Sequence, residues 1–132
     1  MTLVDTNIFL DFVTRDPRWA HLSRKAFVER AARGPILVVD PVFSETSVAF
    51  GSAADCASFL DALGVRYEPM AQEALWRAGQ AFKLYRARGG SKTNVLVDFF
   101  IGAQASVKEV SILTRDSTRY RTYFPEVEIL EP

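Results

Sequence analysis

The sequence predicts a single α/β domain over residues 1–132, a central, mostly parallel sheet flanked by helices. Three observations carry that expectation. Short apolar runs of strand length alternate with longer stretches whose apolar residues recur at helical spacing, the pattern of strands joined by helical crossovers. The run at 36–39, Ile-Leu-Val-Val, has no polar side, as a strand covered on both faces requires. Two further apolar runs, at 3–4 and 110–113, pass at once into aspartate-bearing turns. In open parallel sheets, ligands collect just beyond the carboxyl ends of the strands.

Taken in order, Leu3 and Val4 read as a first buried strand, followed by Asp5, Thr6 and Asn7. Asp5 suits a site at the strand end, and it equally suits a helix N-cap. A short helix at 8–13 breaks around Asp16 and Pro17, and a second runs from 17 to Gly34, with Pro at its start and Gly at its stop. Trp19, Leu22 and Ala26 repeat on one of its faces, and Glu29 lies four residues before Arg33 on the other. The strand at 36–39 leads into a helix at 41–50, where Val42, Glu45, Thr46 and Ala49 share a face and turn Glu45 inward. An inward carboxylate needs a partner, and none is near in sequence.

Gly51 and Ser52 separate a helix at 53–63 from its predecessor, and 65–68 is a brief strand closed by Pro69. A long helix at 71–88 places Leu75, Ala78, Phe82 and Tyr85 toward the core and stops at Gly89-Gly90. The polar loop 91–94 precedes a helix at 95–107. There Asp98 shares a face with Ile101, Gly102 and Ala105, and the small residues allow close approach of a neighbour. After the strand at 110–113 come Thr114, Arg115 and Asp116, repeating the strand-then-aspartate pattern of the N-terminus. A turn of helix over 120–125 and an edge strand at 127–130 complete the chain.

Composition narrows the function. Ten Phe, four Tyr and two Trp in 132 residues supply a proper core. No apolar run reaches membrane-span length, and the start lacks a signal-peptide pattern, so the expectation is a cytoplasmic protein without membrane contact. One Cys, Cys56, excludes an internal disulfide and a cysteine zinc site, and the lone His21 has no metal-binding neighbours. Net charge is zero, with 16 basic and 16 acidic residues, which argues against indiscriminate binding to nucleic acid. The distribution is uneven: no acid lies between Glu73 and Asp98, whereas Arg77, Lys83, Arg86, Arg88 and Lys92 do. Such a stretch serves as a solvated helix face or as a phosphate-facing surface.

Asp5, Glu45, Asp98 and Asp116 all fall where parallel topology gathers strand ends and helix starts at one edge. Four carboxylates crowded there repel one another, and a divalent cation relieves the repulsion. Oxygen donors without Cys or His favour Mg²⁺ or Mn²⁺ over zinc. Such ions clamp phosphate oxygens and activate water, which suits phosphodiester hydrolysis.

At these residues the chain resembles the PIN domain, and within it the VapC toxins of toxin–antitoxin pairs. The likeness rests on Asp5-Thr6-Asn7 after the first strand, Glu45 in a helix, and the run from Asp98 to Ala105. It continues through Leu113-Thr114-Arg115-Asp116 and the closing Tyr123-Phe124-Pro125. One departure is Phe99-Phe100, where many relatives carry smaller aliphatic residues. The resemblance implies a Mg²⁺- or Mn²⁺-dependent endoribonuclease that arrests translation by cutting tRNA or rRNA, leaving a 5′-phosphate and a 3′-hydroxyl. It implies Asp5, Glu45, Asp98 and Asp116 as metal-binding acids, with Asn7 and Thr114 orienting them or the attacking water. It also implies a homodimer held inactive by a VapB-like antitoxin. Setting those four acids aside leaves sixteen bases against twelve acids, and Lys92, Arg115 and Arg119 are candidate RNA contacts.

Other readings keep part of this pattern. A PIN-type nuclease could process RNA or DNA outside any toxin–antitoxin pair. A receiver-like signalling module needs an acceptor Asp after its third strand, where this chain has Pro69 and Met70. A degenerate, binding-only PIN domain would not need all four acids, and all four are present.

Overall fold

A computed structural model describes all 132 residues, Met1–Pro132. Five strands form one sheet: β1 (Thr2–Val4), β2 (Ile36–Val39), β3 (Val65–Glu68), β4 (Ser111–Leu113) and β5 (Ile129–Leu130). Their order is β3-β2-β1-β4-β5, and every neighbouring pair is parallel. The sheet is thus wholly parallel, and β1 lies at its centre with β2 on one side and β4 on the other. Strand order reverses direction across β1, which opens a crevice beyond the carboxyl ends of β1 and β4. All residues of β1, β2 and β4 are buried, which is why these three strands read as unbroken apolar or small-residue runs.

Seven helices connect the strands: α1 (Thr6–Thr14), α2 (Ala20–Ala31), α3 (Asp40–Ser47), α4 (Ala53–Ala62), α5 (Gln72–Ala87), α6 (Leu96–Lys108) and α7 (Thr118–Tyr123). Two aromatic clusters lock them in place. Phe9 of α1 meets Phe27 of α2 and Phe59 of α4 edge-on, at 6.4 and 6.5 Å between ring centroids. Phe99 of α6 is fully buried among Phe82 and Tyr85 of α5, Tyr123 of α7 and Phe124, at 5.0–6.5 Å. Phe99 therefore anchors α5, α6 and α7 to one another beside Asp98. The small residues of α6 have the consequence their size predicts. A Cβ on Gly102 would fall 2.3 Å from the Phe124 ring, so any larger residue there would push the chain after α7 away.

Several details differ from the sequence reading. The first helix begins at Thr6, because the Asp5 carboxylate accepts the Thr6 amide and caps it. The second begins only at Ala20, since the Asp16 carboxylate takes the amides of Arg18 and Trp19 and holds that segment as a turn. Its buried residues are Ser23 and Phe27, with Leu22 exposed. In α5 the expected core face holds at Ala78, which is buried, and at Phe82 and Tyr85, which are half-buried, but Ala74 takes the buried place expected of Leu75, which is exposed. The last strand is confined to Ile129 and Leu130. Neither helix length nor apolarity allows any helix to cross a membrane.

Candidate functional site: an acidic crevice at the β1–β4 edge

The crevice has a buried corner made by the ends of β1 and β4. Asp5 leaves β1 with only 6% of its surface exposed. Its Oδ1 accepts the Thr6 amide at 2.7 Å. Its Oδ2 accepts the Thr114 hydroxyl at 2.8 Å and the Tyr120 hydroxyl at 2.9 Å. Burial nevertheless dominates these three stabilising bonds, and the Asp5 carboxyl is pushed from 3.8 up to about 6. The neighbouring Asp98 charge raises it further.

Thr114 is the junction of this corner and is completely buried. While donating to Asp5, its hydroxyl oxygen accepts from the Asn7 side-chain amide at 3.2 Å and from the Asp116 backbone amide at 3.0 Å. That uses the one proton and both lone pairs of a hydroxyl. Asn7 completes the tie by accepting the Arg115 amide on its Oδ1, at 3.1 Å. The start of α1 and the loop after β4 are thus fastened to each other through two side chains from opposite ends of the sequence.

The rim of the crevice is built differently. Asp98, in the first turn of α6, is half-buried and receives Arg119 of α7 at 2.7 Å. Burial raises its carboxyl, Arg119 lowers it, and Asp116 and Glu45 raise it again by repulsion. Asp116 is exposed on the loop before α7. Glu45 is exposed too, against the expectation that it points inward. On α3 only Val42 and Thr46 are buried, and Glu45 flanks them, facing the crevice mouth. The Thr6 hydroxyl donates to it at 2.6 Å. The four carboxylates therefore share one electrostatic neighbourhood. In this structure no three of them converge into a ligating cluster, and Asp5, Glu45 and Asp98 are each turned to a protein donor.

Two residues absent from the sequence reading belong to the site. Tyr120 is 1% exposed. Burial and the charges of Asp5, Asp98 and Asp116 push its hydroxyl well above its ordinary value, so it serves Asp5 as a fixed donor. Asp11 of α1 is 2% exposed and accepts Arg115 at 2.9 Å and the Ser23 hydroxyl at 2.6 Å. The Arg115 guanidinium also lies over the Trp19 ring, 5.0 Å from its centroid. An acid inside the apolar run of α1 was the available signal, since a buried carboxylate demands a cation or several donors. Of the three RNA-contact candidates, Arg115 and Arg119 are thus engaged with Asp11 and Asp98, and Lys92 is on an exposed loop.

The donor chemistry of this crevice fits a hard divalent cation. It offers four carboxylates and no nitrogen or sulfur donor, since His21 lies exposed on α2 and Cys56 is buried on α4. Two of the acids are held with their carboxyls raised by burial, a cost that a bound cation reverses.

Comparison with known proteins agrees with this fold. The family model described as the PIN domain matches residues 2–125. Among solved structures, VapBC2 from Rickettsia felis bound to a promoter DNA fragment superposes with a TM-score of 0.74 at 14% identity, covering 99% of this chain and 98% of that one. VapBC-1 from nontypeable Haemophilus influenzae gives 0.72 at 12% identity, over 98% and 96%. A toxin–antitoxin complex from Klebsiella pneumoniae gives 0.69 at 20%, over 96% and 95%. At these identities the likeness is one of fold. No curated protein matches the chain by sequence.

Proposed function

The chain belongs to the PIN domain family, and from that premise we propose that it is a VapC-type toxin, a Mg²⁺- or Mn²⁺-dependent endoribonuclease. The observation that supports the reading is the shared electrostatic neighbourhood of Asp98 with Asp5, Glu45 and Asp116, acids from four separate segments near the edge where the strand order reverses. Structural neighbours that are toxin–antitoxin complexes support the toxin assignment over a free-standing processing nuclease.

In this reading the four acids are the ion's ligands. When bound, the ion supplies positive charge against phosphate and activates water for attack. Thr114 and Tyr120 keep Asp5 aimed into the crevice, and Asn7 fixes the Asp116 loop against α1. Arg119, which holds Asp98 in this structure, would be free to bind a phosphate oxygen where that carboxylate held the ion. Hydrolysis forms a bond from the water oxygen to phosphorus and breaks the bond to the 3′ oxygen, which takes a proton and leaves. The products are a 5′-phosphate and a 3′-hydroxyl. The substrate is structured RNA, a tRNA or an rRNA loop, and the active species is a homodimer restrained by a VapB-like antitoxin.

The test is incubation of purified, antitoxin-free protein with total bacterial RNA in Mg²⁺, Mn²⁺ or EDTA, with the new ends mapped. Cuts at a few sites that vanish with EDTA and with Asp98→Asn are the expected result. Cleavage that survives either change would remove the metal-site assignment, and no cleavage by a folded protein would remove the ribonuclease.

A further inference from the structure

Beside the acid crevice lies a second hollow, a cavity of about 270 Å³ lined by Tyr85, Asp116, Thr118, Arg119, Thr122 and Tyr123. It shares Asp116 and Arg119 with the acid site, so whatever occupies it touches the reacting centre. Its volume is just under the range typical of drug-sized ligand pockets, roughly 300 Å³ upward, so it suits a single planar group. Its walls are two tyrosines braced from behind. Phe99 packs against both, at 5.7 and 5.0 Å, and Phe82 stacks on Tyr85. Gly90 lies so close to the Tyr85 ring that a Cβ there would sit 2.4 Å away, and the Lys92 amide donates to the Tyr85 hydroxyl at 3.1 Å. These rings are fixed, and fixed aromatic surface is what a stacking site needs.

Charge completes the pattern. Arg88 is exposed and its guanidinium lies over the Tyr123 ring, 5.6 Å from the centroid. Arg88 and Lys92 both belong to the acid-free run before Asp98. An exposed cation–π contact is weaker than stacking of a base on an aromatic ring. Arg88 does not line the cavity, so it lies outside the place of a base and, held only by this weak contact, is free to pair with a phosphate beside it.

We propose that this cavity is a nucleobase subsite, which holds the unpaired base next to the scissile phosphate on Tyr123 while Arg88 and Arg119 hold the flanking phosphates. The proposal rests on the nuclease reading for its place in the reaction, and it makes the substrate single-stranded at the cut. A duplex keeps its bases stacked inside and cannot fill the cavity; a loop with splayed bases can.

The experiment has two arms. In the first, an oligoribonucleotide with one cleaved phosphodiester is compared with versions in which either flanking base is removed, leaving an abasic ribose. Tyr123→Leu is expected to raise KM about tenfold with kcat within about twofold, the signature of one lost stack. On the abasic substrate that penalty disappears. Thr122→Trp, which fills the cavity from an exposed position and removes no packing, should give the same KM effect. Unchanged KM in Thr122→Trp, or a Tyr123→Leu penalty undiminished on both abasic substrates, overturns the subsite.

The second arm needs no cleavage. Adenosine or uridine 5′-monophosphate added to the wild-type protein should shift the NMR resonances of Thr118, Thr122 and Tyr123, and ribose 5-phosphate should not. Equal shifts with ribose 5-phosphate, or none with either nucleotide, also overturn it. Base-dependent shifts in a protein that cleaves no RNA would retain the subsite and reject the nuclease.

Discussion

At the corner where β1 and β4 end, Asp5 and Thr114 are buried and their polar side-chain atoms are all partnered inside the fold. Across the same crevice Glu45 and Asp116 face solvent, and Asp98 is held by one arginine. The two halves carry acids of the same chemistry in opposite physical situations. Corner acids are positioned by short bonds that also join the ends of the chain, so changing them changes the fold as well as the site. Rim acids sit on the first turn of α6, the last turn of α3 and the loop before α7, and two of the three face solvent. The rim can therefore rearrange around a ligand, while the corner supplies the fixed reference.

The sharpest way to break that contrast is to remove a carboxylate from the rim. Asp116→Asn should lower RNA cleavage at least about 100-fold, more than the loss of a partner outside the ligand shell. Its melting temperature should stay within a few degrees of wild type. A large drop in stability would mean that the rim is structural after all.

On the corner side, Asp11→Ala leaves Arg115 without its carboxylate under Trp19. Because Arg115 is partly solvated, the cost should fall below that of a fully buried pair, about 2–3 kcal/mol by urea denaturation. A cost under about 0.5 kcal/mol would show that the Asp11–Arg115 pair does not brace the loop. Thr114→Val keeps the shape but deprives Asn7 and the Asp116 amide of an acceptor and Asp5 of a donor. About 2 kcal/mol is expected, and a neutral outcome would dismiss the hydroxyl as a junction.

Asp5→Asn should act in the reverse direction. With a folded pKa of about 6 against 3.8, the folded state holds its proton more tightly than the unfolded chain. Its carboxyl is neutral in both states below pH 3.8, so the group has no effect on stability there. Stability is lost as pH rises from 4 to 6, and the full cost stands above 6. The metal-free Asn variant should thus gain on the order of 3 kcal/mol relative to wild type between pH 3.5 and pH 7. That gain comes on top of a pH-independent cost, since its amide nitrogen cannot accept the Thr114 and Tyr120 hydroxyls. Paired melting curves at the two pH values test this, and a wild-type-to-variant difference that does not change with pH would refute the ionisation argument. The smallest effect belongs to Arg119→Gln. Its half-exposed bond to Asp98 should contribute no more than about 1 kcal/mol, and the difference should shrink in high salt.

Much of this architecture was legible in the residues. The apolar run of β2 and the strand-then-aspartate repeats at Val4-Asp5 and Leu113-Thr114-Arg115-Asp116 mark parallel strands and their ends, because local pattern reports which segments must be covered on both faces. The candidate acids follow from the same pattern, since topology alone sends those four positions to one edge. What the pattern could not report is which way each side chain turns. Glu45 has the spacing of an inward residue yet faces solvent, because three-residue spacing admits the flank of a buried stripe as well as its centre. Tyr120 and Asp11 reveal their roles only through partners 115 and 104 residues away. The parallel α/β class, the places of the candidate acids along the chain and the family were legible in the sequence, whereas the strand order β3-β2-β1-β4-β5 was not. Tertiary structure alone decided that Arg119 sits on Asp98, that Arg115 is braced by Asp11 and Trp19, and that two tyrosines from distant helices enclose a cavity beside the acids. Such contacts join segments far apart in sequence, and their geometry is fixed only when the whole core packs.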